Sequence, residues 1–238
     1  MSFRKIIKKL NKSAKPVLAV LVDPDKYNAE LIKLANKSKV ACFLVGGSKL
    51  ETGDIHKTIK AIKKLSDIPV ILFPGDESQL SKEADGLLLL SLLSGRNPEY
   101  LIEKHIRAAL RIKKLKLEYL STAYLLIDGG HNSVTQEVTK TTPLDPANSS
   151  YIISTALAAE QLGFKAIYLE AGSGARTSIA ASLVKKIKRE VSIPLIVGGG
   201  IDSAKKIREA IGAGANMIVV GNALEKNVHL LTEMSSCF

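Results

Sequence analysis

Eight short apolar runs, most of them followed by polar, helix-compatible sequence, constrain this chain more than any other feature. The runs are VLAVLVD (17–23), ACFLVGG (41–47), VILFP (70–74), GLLLLS (86–91), TAYLLID (122–128), AIYLEA (166–171), PLIVGG (194–199) and MIVVGN (217–222). They are continuously apolar instead of alternating, as expected of parallel strands covered on both faces. Helical patterns fall at 28–37, 54–66, 98–116, 149–162, 177–190, 203–212 and 225–235. Eight strands interleaved with helices in 238 residues give the profile of an α/β protein, a (β/α)8 TIM barrel in a single domain over 1–238. A doubly wound open sheet is the competing arrangement.

One unit breaks the alternation. Between strands three and four lies only GDESQLSKEAD (75–85), with room for two helical turns at most. The third helix is therefore expected to be missing or replaced by a loop. In the opposite sense, GGHNSVTQEVTKTTPLDPAN (129–148) is long and polar after strand five, which suits either a binding loop or a surface insertion. Near the start, Phe3, Ile6, Ile7 and Leu10 fall at helical spacing on a basic background. They read as a helix closing the barrel's bottom, with a membrane-contacting helix as the alternative.

Charge narrows the partners. The formal net charge is +11, carried largely by runs such as KKIKRE and RIKKLK that suit solvated helix faces. A nucleic-acid platform would interleave aromatic side chains, and here Trp is absent while Tyr and Phe number 6 and 5. No nucleic-acid partner is expected; an anionic substrate or an anionic membrane surface would use the same field. No apolar run approaches the roughly eighteen residues of a membrane span, and the basic start lacks a signal peptide's apolar core. Two cysteines, Cys42 and Cys237, far apart and in no metal-like spacing, point to a reducing, cytoplasmic compartment.

In such barrels the chemistry sits at the C-terminal ends of the strands. Strand seven ends in VGGGIDSAKKI and strand eight in VVGNALEKN, two glycine-bearing turns at the positions where these barrels hold phosphate. Asp202 or Ser203 is placed to cap the helix after strand seven. On strand six, alternation puts Tyr168 and Glu170 on the face opposite Ile167 and Leu169, hence toward the barrel axis. A carboxylate beside phosphate turns suits hydroxyl groups, so the ligand implied is a phosphorylated polyol, with Glu170 a candidate general base. A carboxylate paired with a neighbouring cation is the bland alternative. Asp23, ending strand one, and Ser48, after strand two, are too few for a protein-only metal cage. They suit Mg²⁺ that keeps waters and takes phosphate oxygens; a turn-capping role for Asp23 before Pro24 is equally open, and Asp25 reads as a turn residue. None of the four histidines, His56, His105, His131 and His229, shows metal spacing, and none receives a role.

Taken together, LVDPDK, VGGSK, FPG, SLLSGRNPEYLI, YLEAGSGA, PLIVGGGI and GANMIVVGNALEKN resemble the geranylgeranylglyceryl phosphate synthase family, which includes the bacterial PcrB-like heptaprenylglyceryl phosphate synthases. The resemblance spans nearly the whole chain. It implies a barrel lacking its third helix and a Mg²⁺-dependent prenyltransferase of lipid biosynthesis. Such an enzyme joins sn-glycerol 1-phosphate to geranylgeranyl diphosphate or a similar prenyl diphosphate through an ether bond. Carried onto this chain, glycerol-phosphate contacts fall on Tyr168, Leu169, Glu170, Ala171, Gly172, Ser173, Gly174, Gly199, Gly200, Gly221 and Asn222. Metal contacts fall on Asp23 and Ser48, and Glu170 with Tyr168 forms the catalytic pair. Leu21 departs from the PcrB subgroup, where a basic residue is expected, and favours the geranylgeranyl-using branch. The prenyl groove is expected beside strands three and four, with Tyr100 bounding the tail. A homo-oligomer and peripheral contact with a membrane surface follow by analogy. The alternatives are the heptaprenyl-using enzyme, a phosphosugar isomerase or lyase barrel, and a non-catalytic anion-binding barrel.

Overall fold

The computed structural model describes residues 2–12 and 15–238. After α1 (Phe3–Lys12), eight parallel strands close into one barrel in sequential order: β1 (Val17–Val22), β2 (Val40–Val45), β3 (Val70–Leu72), β4 (Gly86–Leu92), β5 (Tyr119–Leu126), β6 (Ala166–Glu170), β7 (Leu195–Gly198) and β8 (Met217–Val220). β1 pairs with β8 through Val17↔Met217 to Val20↔Val220, which closes the ring. The outer helices are α2 (Ala29–Ala35), α3 (Ile55–Leu65), α4 (Lys104–Leu115), α5 (Val134–Thr139), α6 (Ser149–Gln161), α7 (Ala181–Glu190), α8 (Ala204–Gly212), α9 (Asn222–Lys226) and α10 (Leu230–Ser235). The TIM barrel read from the sequence is thus the observed fold, and the open sheet is excluded.

Two apolar layers follow from strand alternation. Leu18, Val20, Ile167, Leu169 and Val197 face outward and pack with the helices. Ala19, Leu44, Tyr168, Ile196 and Val219 face inward. Phe3, Ile6 and Leu10 of α1 join the inward layer and close the barrel's bottom. Phe3 packs so tightly that a Cβ on Gly86, at the start of β4, would sit 2.3 Å from its ring. The membrane alternative for this helix is set aside, because its apolar face is already buried.

The unit after β3 is the expected exception. The chain returns to β4 through one 3-10 turn, Glu77–Gln79, with no α-helix between β3 and β4. Gln79 is buried and takes over part of the missing helix's work: its Nε2 donates to the Gly47 carbonyl at 2.8 Å, and its Oε1 accepts from Gly75 at 3.3 Å. Three details differ from the sequence reading. The pattern at 98–116 begins as a π-helical segment, Glu99–Glu103, before α4. The final pattern breaks into α9 and α10, and the polar segment after β5 contains α5.

Candidate active site

Tyr168 and Glu170 point into the barrel, as two-residue alternation requires. Tyr168 is fully buried within an aromatic cluster, its ring centroid 5.3 Å from Tyr124 on β5 and 5.2 Å from Phe73 just after β3. Glu170 lies one step higher, at the mouth, and is only 7% exposed. Burial raises its carboxyl to about 7, against the partial counter-effect of the Gly172 N–H, which donates to Oε1 at 2.6 Å. No cation is paired with it among the described salt bridges, so the bland ion-pair reading of Glu170 falls away. A carboxyl near pH 7 is poised to accept a proton. Burial, and next the Glu170 charge, hold the Tyr168 phenol well above its ordinary range. Tyr168 is therefore a neutral donor, and its hydroxyl, beside Glu170 but out of hydrogen-bond geometry, has no partner among the described residues.

The glycines of β7 make this arrangement possible. A Cβ on Gly198 would lie 2.3 Å from the Tyr168 hydroxyl, and one on Gly199 would lie 2.3 Å from Glu170 Oε1. Gly199 also has φ +80°, a left-handed backbone that a side chain resists. Both faults would fall on the same two functional groups. Ser203 is the residue that caps α8, through Lys206 N–H, whereas Asp202 pairs with Lys206 at 2.9 Å.

The loops of β1, β6 and β8 are tied together. Asn222 Oδ1 accepts from Gly174 N–H and Ser173 Oγ, both at 2.9 Å, and its Nδ2 donates to Glu225 at 3.1 Å. Glu225 in turn pairs with Lys26 at 3.0 Å. Asn222 thus braces the small-residue turn as well as lining the cavity. Tyr168, Glu170, Ser173, Gly174, Gly199, Gly200, Gly221 and Asn222 border one polar cavity at the mouth, together with Asp23 and Ser48. Ala171 is buried, Leu169 faces the helices, and Gly172 packs on Ser133 and His131, and none of these three expected contacts borders the cavity.

Asp23 and Ser48 both reach the cavity, and Asp23 also caps its turn. Its Oδ1 accepts from Asp25 N–H at 3.0 Å, capping the turn, while the half-buried carboxylate borders the cavity. Burial raises its pKa, opposed by the Asp25 N–H and Lys26. A cation would relieve that desolvation. Ser48 Oγ lies 2.8 Å from Thr135 Oγ1. No three His, Cys, Asp or Glu side chains cluster as a metal cage among the described residues. The donor set therefore fits an ion that keeps most of its ligands as water and phosphate oxygens. Asp25 is the turn residue expected of it: the N–H groups of Glu51, Thr52 and Gly53 hold its carboxyl down to about 2.

A second, apolar groove opens where the third helix is absent. Leu87, Leu89, Leu90 and Phe73 form its floor, and Tyr100 and Ile112 flank it. Lys104 closes one end, bonding Asp76 Oδ2 at 2.6 Å and lying 4.5 Å over the Tyr100 ring. The Tyr100 hydroxyl donates to Val138 O at 3.2 Å, so α5 forms part of the same wall. Ser48, Phe73, Tyr124 and Thr135 border both cavities, which therefore meet.

Known proteins match this chain over most of its length. The family model described as the PcrB family matches residues 11–236. The geranylgeranylglyceryl phosphate synthase of Chitinophaga pinensis is 46% identical over 221 residues, covering 91% of this chain and 88% of that one. Its counterpart in Korarchaeum cryptofilum is 37% identical, covering 92% and 91%. Among solved structures, (S)-3-O-geranylgeranylglyceryl phosphate synthase from Thermoplasma acidophilum, in complex with sn-glycerol-1-phosphate, superposes with a TM-score of 0.92 at 30% identity over 100% of this chain and 98% of that one. Thiamine phosphate pyrophosphorylase from Pyrococcus furiosus, at 18% identity and a TM-score of 0.59, shares the fold alone. By sequence and structure the chain belongs to the PcrB family.

Proposed function

We propose that this protein is a prenyltransferase that forms the ether bond between sn-glycerol 1-phosphate and a long prenyl diphosphate, geranylgeranyl diphosphate being the favoured donor. One observation carries the reading: a polar mouth holding a buried carboxyl near its neutral point opens directly into an apolar groove. A phosphosugar isomerase would need only the first of these. The relatives named above supply the identity of the alcohol and the donor.

The glycerol phosphate lies with its phosphate at the glycine turns of β6, β7 and β8 and its hydroxyls toward Tyr168 and Glu170. The prenyl tail lies in the groove beside β3 and β4, excluded from water. The primary hydroxyl oxygen attacks the allylic carbon, the carbon–oxygen bond to diphosphate breaks, and the hydroxyl proton passes to Glu170. The ether and free diphosphate leave, and Glu170 returns its proton to solvent. Holding the two reactants at the junction of the cavities makes the encounter effectively unimolecular. Tyr168, protonated throughout, donates to the substrate oxygen and fixes its orientation.

Mg²⁺ belongs to this reading, with Asp23 and Ser48 as the residues that would hold it; when bound, it supplies charge neutralisation for the departing diphosphate. The reading extends to a homo-oligomer in a reducing, cytoplasmic compartment that meets anionic membrane at its surface. Exposed Ile102, Ile106 and Leu110, four residues apart beside the groove, and the net charge of +11 support the membrane contact. No helix among the described residues is long and apolar enough to cross a membrane. The test is product analysis: the purified protein, sn-glycerol 1-phosphate, geranylgeranyl diphosphate and Mg²⁺, followed by mass spectrometry. An ether-linked prenylglyceryl phosphate is expected; its absence with donors of every length would overturn the assignment.

A further inference from the structure

His131, on the loop between β5 and α5, makes a contact that the site described so far does not use. Its Nε2 lies 2.8 Å from the Ser173 carbonyl oxygen. A carbonyl only accepts, so Nε2 carries the proton and donates. Nδ1 is enclosed and has no hydrogen-bond partner among the described residues. A nitrogen left in that state carries a desolvation cost.

The Nε2 contact falls on the turn after β6, and a turn that receives an anion must keep its carbonyls away from it. There His131 takes the Ser173 carbonyl, Asn222 takes the Ser173 hydroxyl and the Gly174 N–H, and Glu170 takes the Gly172 N–H, so the turn is held from three sides. The imidazole also packs against both glycines of the turn. A Cβ at Gly172 would lie 3.5 Å from His131 Cε1, and one at Gly174 would lie 3.7 Å from Nε2. The loop bearing His131 is itself fixed at both ends. The Gly129 carbonyl accepts from Arg176 and Thr177 at 3.0 and 3.2 Å, and Ser133 caps α5 through Gln136 N–H. His131 is not among the residues bordering the polar cavity.

We infer that His131 is a positioning residue for the glycerol-phosphate half of the site. It holds the Ser173 carbonyl away from the phosphate and so fixes the Gly172–Gly174 turn in the conformation that receives it. It touches neither substrate nor the reacting atoms. The inference rests on the proposed function above.

The test compares His131→Ala with His131→Gln, whose amide N–H can donate to the same carbonyl. Loss of one such hydrogen bond, taken as about 1.4 kcal/mol, corresponds to roughly tenfold in binding. For His131→Ala the KM for sn-glycerol 1-phosphate, and its Kd by calorimetry without donor, are expected to rise roughly tenfold. The KM for geranylgeranyl diphosphate and kcat should stay within about twofold, and His131→Gln should recover most of the loss. A general structural role would instead raise both KM values, lower Tm and show no rescue, which would overturn the inference, as would an unchanged Kd. Should His131→Ala not fold, His131→Leu against His131→Gln makes the same comparison at similar size. Wild-type protein that binds sn-glycerol 1-phosphate but yields no ether product would sink the functional reading while still testing the role of His131. Protein that does not bind it at all would sink both.

Discussion

Ser48 Oγ and Thr135 Oγ1 lie 2.8 Å apart at the seam where the polar mouth meets the apolar groove. One hydroxyl comes from the loop after β2 and the other from α5, so the seam joins parts of the chain 87 residues apart. On one side stand the groups that suit a phosphorylated alcohol, and on the other a surface that suits a hydrocarbon tail. The two halves can therefore be damaged separately.

Leu89 tests the apolar half. It points outward from β4 into the space left by the absent helix and is only partly buried. Leu89→Trp would fill that space. Turnover with geranylgeranyl diphosphate should fall at least tenfold while the KM for sn-glycerol 1-phosphate stays unchanged, and shorter prenyl donors should be affected less. Steady-state kinetics across a donor-length series gives the answer.

Tyr168→Phe tests the polar half in the opposite sense. The hydroxyl makes no hydrogen bond of good geometry among the described residues, so removing it breaks none there. Thermal unfolding should show an unchanged or higher Tm. The KM for sn-glycerol 1-phosphate should rise roughly tenfold, as expected if the phenol's partner is the substrate.

Removal of divalent cation should abolish turnover, and added Mg²⁺ should restore it. Asp23→Asn should weaken Mg²⁺ binding, shifting the half-saturating concentration upward by at least tenfold, since a carboxamide lacks the charge a hard cation requires. A chelator titration on both proteins measures this.

Gly199→Ala should damage stability and activity together. Its methyl would meet Glu170 Oε1 at 2.3 Å and Ala171 N at 2.7 Å, on a backbone at φ +80°. The backbone strain alone costs about 1–3 kcal/mol, and the displaced carboxylate should lower kcat by more than tenfold. Chemical denaturation and kinetics on one preparation check both effects.

The sequence carried the frame of this site because the frame is local. Apolar runs mark the strands, and two-residue alternation alone turns Tyr168 and Glu170 inward while Ile167 and Leu169 meet the helices. The short segment 75–85 was equally legible, since eleven residues have room for two helical turns at most between β3 and β4. What stayed hidden depends on loops from different strands meeting. His131 has no motif around it, and only the closed barrel brings it to Ser173, 42 residues away. Thr135 and Gln79 were silent for the same reason, and so was the bracing role of Asn222. Gly198 reads as part of a phosphate turn, yet the structure shows its absent side chain clearing space for the Tyr168 hydroxyl.

In the proposed mechanism Glu170, a buried carboxyl raised to about 7, accepts the proton of the attacking hydroxyl. A base works only when deprotonated, so its activity is present above that pKa and lost below it, about tenfold for each pH unit. The direct measurement is the single-turnover rate of ether formation between pH 5.5 and 9 for wild type and Glu170→Gln. The wild-type rate should rise with pH and level off above about 7, while Glu170→Gln should be slower by roughly 10²–10⁴-fold and lack that inflection. A Glu170→Gln rate close to wild type, or a wild-type profile flat through pH 7, would contradict the account.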